Sequence, residues 1–144
     1  HNLFFLFPDV TIPDGSIITN AYITWEYRSY YGTPPACTLR FEDAADPAVV
    51  SSAADGNGRA TTTASVSVTG PTSGTTWNSP DISDIIQELL DSYSYASGAN
   101  MQCLIFGPAG SGTNYSQSWD SYVTLHIEYT EAAAGNPHYA YAQQ

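Results

Sequence analysis

Between Phe7 and Tyr27 the chain reads FPDVTIPDGSIITNAYITWEY: a strand-like run, a Pro-Asp-Gly turn, and a second run in which apolar and polar residues alternate. A period of two puts Ala21, Ile23, Trp25 and Tyr27 on one face and Tyr22, Thr24 and Glu26 on the other, the pattern of a half-buried β-strand. The same alternation returns in Cys37, Leu39 and Phe41, in Ala64, Val66 and Val68, and in Val123, Leu125, Ile127 and Tyr129. Gly and Pro punctuate the intervals, as turn residues do between strands. Together these segments predict an extracellular-type, antiparallel β-sandwich. Two runs are apolar without alternation, Asn2 to Phe7 and Met101 to Phe106. A strand that is apolar on both faces belongs inside a sheet, so both are expected in central positions. Because the chain opens at His1 already within such a run, the first strands of the domain are expected to precede it.

One stretch departs from the period of two. In Ser79-Pro-Asp-Ile-Ser-Asp-Ile-Ile-Gln-Glu-Leu-Leu90, the apolar residues Ile82, Ile85, Ile86, Leu89 and Leu90 fall on one helical face. Ser79 suits the N-cap, Pro80 the first helical position, and Asp81 and Asp84 the positive end of the dipole. The spacing predicts one short amphipathic helix over 79–91, laid across a sheet.

The 144 residues suffice for one core, assigned here to 1–130, with residues 131–144 as a C-terminal tail. Fourteen acids face three arginines and no lysine, a net charge of -11. Such a surface repels phosphate backbones and anionic lipid, which excludes nucleic-acid partners and charge-driven membrane binding. No apolar run approaches the roughly 18 residues that span a bilayer, so membrane insertion is not expected. The tail is too poor in apolar residues to form an element alone. Its Tyr139 and Tyr141 are expected to anchor it, either on the domain itself or on a neighbouring subunit.

The chemistry legible in the sequence is sparse. A phosphate-binding loop needs a lysine, and there is none. His1, His126 and His138 are isolated, and no GxSxG elbow occurs, so the expectation is a protein that is not an enzyme and has no cofactor. Asp43, Asp46 and Asp55 are carboxylates within one connection and could hold a structural calcium ion, the alternative being plain turns at Asp55-Gly-Asn-Gly58. Cys37 and Cys103 could pair across a sandwich or be two buried thiols. Aromatic residues are the richer signal, with 11 Tyr and three Trp. Tyr93, Tyr95 and Trp119 lie near loops, where flat amphipathic rings stack on sugars or form protein–protein hot spots. Asn114-Tyr-Ser116 fits the N-glycosylation sequon.

Taken together, FPDVTIPDGSIITNAYITWEY, LRFEDAADPAVVSSAADGNGRATTTASVSV, TWNSPDISDIIQELL and YVTLHIEY resemble the DNRLRE-type domain, also classed as carbohydrate-binding module family ninety-six. The resemblance runs from about Leu3 to Tyr129. It implies a jelly-roll-like β-sandwich with one short helix, found as an appended non-catalytic module in secreted polysaccharide-active enzymes, cell-surface proteins and phage structural proteins. In that family the opening strands would precede His1, and no glycan-binding residue transfers to this chain. The function expected is that of a structural or attachment module on an extracellular surface, such as a virion or cell-surface assembly. Its partners would be other protein subunits, in a homo-oligomer. The alternative is a carbohydrate-binding module of a secreted polysaccharide-active enzyme.

Overall fold

The structure is a computed structural model that describes residues 2–26, 36–69, 76–108 and 123–133. Its elements in chain order are β1 (Leu3–Val10), β2 (Ile17–Glu26), β3 (Ala36–Phe41), α1 (Ala53–Gly58), β4 (Val66–Thr69), β5 (Thr76–Asn78), α2 (Ser83–Ser92), β6 (Ala99–Phe106) and β7 (Val123–Thr130). The strands form two antiparallel sheets, one ordered β1-β6-β3-β4 and the other β5-β2-β7. The fold is therefore the expected all-β sandwich.

The alternating residues do what their period dictates. Ala21, Ile23 and Trp25 of β2 and Leu39 and Phe41 of β3 are buried, and they join Met101, Cys103 and Ile105 of β6 in one core. The Pro-Asp-Gly turn forms where it is expected. The Ser16 N–H donates to the Pro13 carbonyl (3.2 Å), and Gly15 takes a φ of 76° that a side chain would resist. β6 is central, as its continuous apolar run requires.

β1 is not central. Among the described residues it is the outer strand of its sheet, which corrects the expectation drawn from its two apolar faces. Leu3, Phe5 and Phe7 face the core, whereas Phe4 and Leu6 point the other way, towards Val49, Val50 and Gly56. The chain between Phe41 and Thr62 leaves the sheet, folds back over that outer face, and returns with Thr62 N–H on the Phe41 carbonyl (2.9 Å). The Phe4 ring lies so close to Gly56 that a Cβ there would sit 2.5 Å from it. A covering lobe, rather than neighbouring strands, thus explains the second apolar face.

Arg59 ties the lobe together. Its guanidinium donates to Glu42 Oε2 (2.6 Å), Asp55 Oδ2 (3.0 Å) and the carbonyls of Ala48 (2.6 Å) and Val49 (3.2 Å). The Asp55-Gly-Asn-Gly58 run expected as turns is part of helix α1, because Ser52 Oγ accepts from Asp55 N–H (3.1 Å) and caps it.

Helix α2 has the predicted apolar face, with Ile85, Ile86 and Leu89 buried, but it begins at Ser83 rather than near Ser79. The reason lies in β2, which β5 pairs only at Thr24, Trp25 and Glu26. Beyond that point the edge of β2 needs other partners. Ile23 N–H donates to Ser79 Oγ (3.0 Å), Ser79 N–H to the Ile23 carbonyl (2.8 Å), and Ala21 N–H to Asp81 Oδ1 (3.1 Å). Ile82 N–H then reaches the Ala21 carbonyl (2.8 Å), and Gln87 Oε1 accepts from Ile18 N–H (2.9 Å). Residues 79–82 therefore continue the sheet edge; the N-cap position falls on Ile82, which offers no side-chain acceptor, and Asp81 takes the Ser83 N–H (2.9 Å) instead of Ser79.

Candidate functional site

The sandwich has two sides, and they differ. On one side α2 bridges the sheets: besides its bonds to β2, its Glu88 carboxylate accepts the N–H groups of Thr63 (2.7 Å) and Ala64 (2.8 Å), just ahead of β4. Those bonds outweigh burial and hold the Glu88 carboxyl below its usual pKa. This side is sealed.

The opposite side lies between β1 and β7. Phe7, Pro8, Val10, Thr11 and Ile12 form one wall and Thr124, Leu125, Ile127 and Tyr129 the other, around a groove of about 430 Å³. The two walls present different edges. At Pro8 and Asp9 the register of β1 on β6 slips between Phe7 and Val10, and Asp9 adopts a φ of 53°. A proline without an N–H, next to a bulge, blunts that edge against further pairing. β7 carries neither device. It pairs with β2 from Val123 to Thr130, and among the described residues no strand pairs with its other edge. Its inward side chains are correspondingly uncovered. Ile23 and Ala21 on β2 are 0% exposed, while Leu125 and Ile127, opposite them on β7, are only half-buried and Tyr129 is 37% exposed.

Acidic residues adjoin the groove's lining along the chain. Asp9 interrupts one wall and Glu128 the other, while Asp14 and Glu131 follow each wall by two residues, and all four are exposed. The arginines among the described residues are engaged elsewhere, Arg40 with the carbonyls of Thr62 and Thr63 and Arg59 within the lobe. The outer, wet face of the β5-β2-β7 sheet is a second surface. There the Tyr22 and His126 rings stack at 4.6 Å, His126 Nε2 lies 2.9 Å from Glu128 Oε1, Asn20 Nδ2 donates to the same oxygen (3.4 Å), and Thr24 Oγ1 donates to Asn78 (2.7 Å). His126, and then Asn20, hold the Glu128 carboxyl below its ordinary value.

The residues singled out from the sequence fall apart in space. Tyr95 is not a ligand platform. It is 0% exposed, its carbonyl accepts from Ile12 and Gly98, and burial, reinforced by the charges of Tyr93, Asp43 and Asp46, pushes its phenol up to about 12. Its hydroxyl finds no hydrogen-bond partner. Tyr93 donates to Asp43 Oδ1 (3.0 Å), so an expected ligand residue and an expected metal ligand occupy each other. Asp46 accepts from Asn100 N–H (2.8 Å), and Asp55 is held by Arg59 and Ser51. The three carboxylates are not brought together, and each has its own protein donor. Among the described residues no three His, Cys, Asp or Glu side chains are placed to hold a metal ion. Trp119, Tyr139 and Tyr141 lie outside the described residues.

A Cys37–Cys103 disulfide is likewise ruled out by register. Both residues belong to the four-stranded sheet, where Phe41, not Cys37, stands opposite Cys103. Four strand positions separate the two, about 13 Å at ~3.3 Å per residue, beyond the ~7 Å that a disulfide spans. They are thiols, Cys103 buried and Cys37 half-buried, and burial raises the pKa of each.

Sequence reasoning missed the groove. Alternation marks Leu125 and Ile127 as inward-facing, yet it carries no information about whether a strand has one neighbour or two. Among the described residues no helix is long and apolar enough to cross a membrane. No family model, no curated protein and no solved structure matches the chain.

Proposed function

We propose that this chain is a non-catalytic β-sandwich module that works by attachment, a structural or docking part of an extracellular surface assembly such as a virion or cell envelope. Its partners are other protein subunits, copies of itself among them. The observation that carries this reading is the groove between β1 and β7, where inward-facing apolar side chains stay half-covered beside a strand edge that no other described strand pairs. Apolar surface left open in this way gains free energy when a partner removes it from water, and a strand edge supplies direction to the contact. The test is the solution mass of the chain and its assemblies by light scattering, with Leu125→Asn and Ile127→Asn as perturbations. Association weakened by both, in variants whose circular dichroism is unchanged, supports the reading. Association that neither change alters refutes it.

A carbohydrate-binding role is the second reading. The observation favouring it is the wet sheet face on which Tyr22 and His126 stack among Asn20, Thr24 and Glu128, a mixture of rings and polar groups suited to sugar hydroxyls. That role responds to Tyr22→Ala on a polysaccharide panel and ignores changes in the groove.

A further inference from the structure

We propose that β7 accepts an extended peptide as an added strand, one in which apolar residues alternate with Lys or Arg. The inference deepens the attachment reading and rests on it. Its first support is geometric. β7 is eight residues long, and every second N–H and C=O along its outer edge points away from β2. A strand laid about 4.8 Å further out, beside that edge, turns alternate side chains into the groove, where Leu125, Ile127 and Tyr129 face Phe7, Val10 and Ile12. The β1 edge does not compete, because Pro8 and the kink at Asp9 interrupt it.

The second support is charge. An added strand sends its remaining side chains outward, on the face where β7 presents the exposed Glu128, while the exposed Asp9 and Glu131 stand within two residues of the groove's lining. His126, which shares that face, is occupied by Tyr22 and Glu128. The whole chain carries -11, so a partner segment of opposite charge gains more at this face than a second copy, which brings the same sign. Lys and Arg at the outward positions supply that opposite charge. Backbone pairing supplies affinity, the groove selects apolar alternate residues, and the acids select the sign of the others.

The experiment is a fluorescence-anisotropy titration of the full chain with a labelled synthetic peptide of alternating Val and Lys, compared with Val–Glu and Ser–Lys peptides of equal length. Saturable binding of the Val–Lys peptide alone is expected, about tenfold weaker for Leu125→Asn. It also weakens as ionic strength rises from about 0.01 to 0.15 M, over which the screening length falls from ~30 to ~8 Å. Amide exchange of the unaltered chain serves as a check that needs no variant: alternate amides between Val123 and Thr130 slow when the peptide is added. Equal binding of the Ser–Lys or the Val–Glu peptide overturns the proposal. So does binding that needs removal of residues 134–144, which would make the chain's own tail the occupant. If Leu125→Asn abolishes association with other subunits while no peptide binds, the attachment reading stands and this inference falls.

Discussion

Replacing Ser79 by Ala tests the seal along β2 at a single atom. Ser79 Oγ accepts the N–H of Ile23 at 3.0 Å, and both residues are buried, Ser79 at 7% and Ile23 at 0% exposure. Removal of the hydroxyl leaves that N–H in the core with no water to replace the lost acceptor. An orphaned buried amide costs about 1–3 kcal/mol. For a chain of this size each kcal/mol lowers Tm by about 2–4 °C. The companion Ser83→Ala removes a hydroxyl that donates to Asp81 Oδ2 at 2.9 Å, in a bond exposed to solvent. Water takes its place, so the expected change is within about 0.5 kcal/mol. Urea unfolding of the two variants beside the parent separates the cases, provided the m-value is unchanged. Should Ser79→Ala prove as stable as Ser83→Ala, the Ser79 hydroxyl does not seal the edge and the account of why α2 starts late is wrong.

Arg59→Met, which removes the donors holding Glu42 and Asp55, is expected to cost about 2 kcal/mol and to direct limited proteolysis first to residues 43–61. Acid should unfold the chain by a definable route. Asp81, Glu88 and Glu128 all titrate below their ordinary values in the folded state, Asp81 because bonds from Ser83 and Ala21 outweigh a burial that acts the other way. A lowered folded pKa gives stability that is complete above the unfolded value near 4 and lost as pH falls through the folded one. Urea midpoints should therefore drop as pH falls below about 4, and Glu88→Gln should flatten that drop. Tyr95→Phe is expected to leave stability at pH 7 unchanged or slightly raised, since it deletes a hydroxyl without a partner. Because the Tyr95 phenol is raised from 10 to about 12, its contribution is complete below pH 10 and lost towards 12, and the Phe variant should resist alkali better.

Local chemistry is where the sequence was most legible. Period-two runs such as Ala21-Tyr22-Ile23-Thr24-Trp25, the turn at Pro13-Asp14-Gly15 and the apolar face of α2 all depend on neighbours within a few residues, and the structure repeats them. What required the third dimension was less accessible. Phe4 and Leu6 suggested a central strand because a sequence does not distinguish a neighbouring strand from a folded-back lobe as the cover. Ser79 has the chemistry of an N-cap, but an unpaired stretch of β2, remote in sequence, claims its hydroxyl instead. The candidate ligand and metal residues scattered for the same reason: Tyr93 meets Asp43 across fifty positions. The groove depends on β7 lacking a second neighbour among the described residues, a property of topology that no residue type announces.

Native-state amide exchange along β7 tests the central claim most directly. With an unpaired outer edge, residues 123–130 of the monomeric chain should alternate between slow amides, bonded to β2, and amides that exchange near the rate of open chain. Uniformly slow exchange from Val123 to Thr130 in the monomer would mean that the chain already covers its own edge, and attachment through this groove would be contradicted.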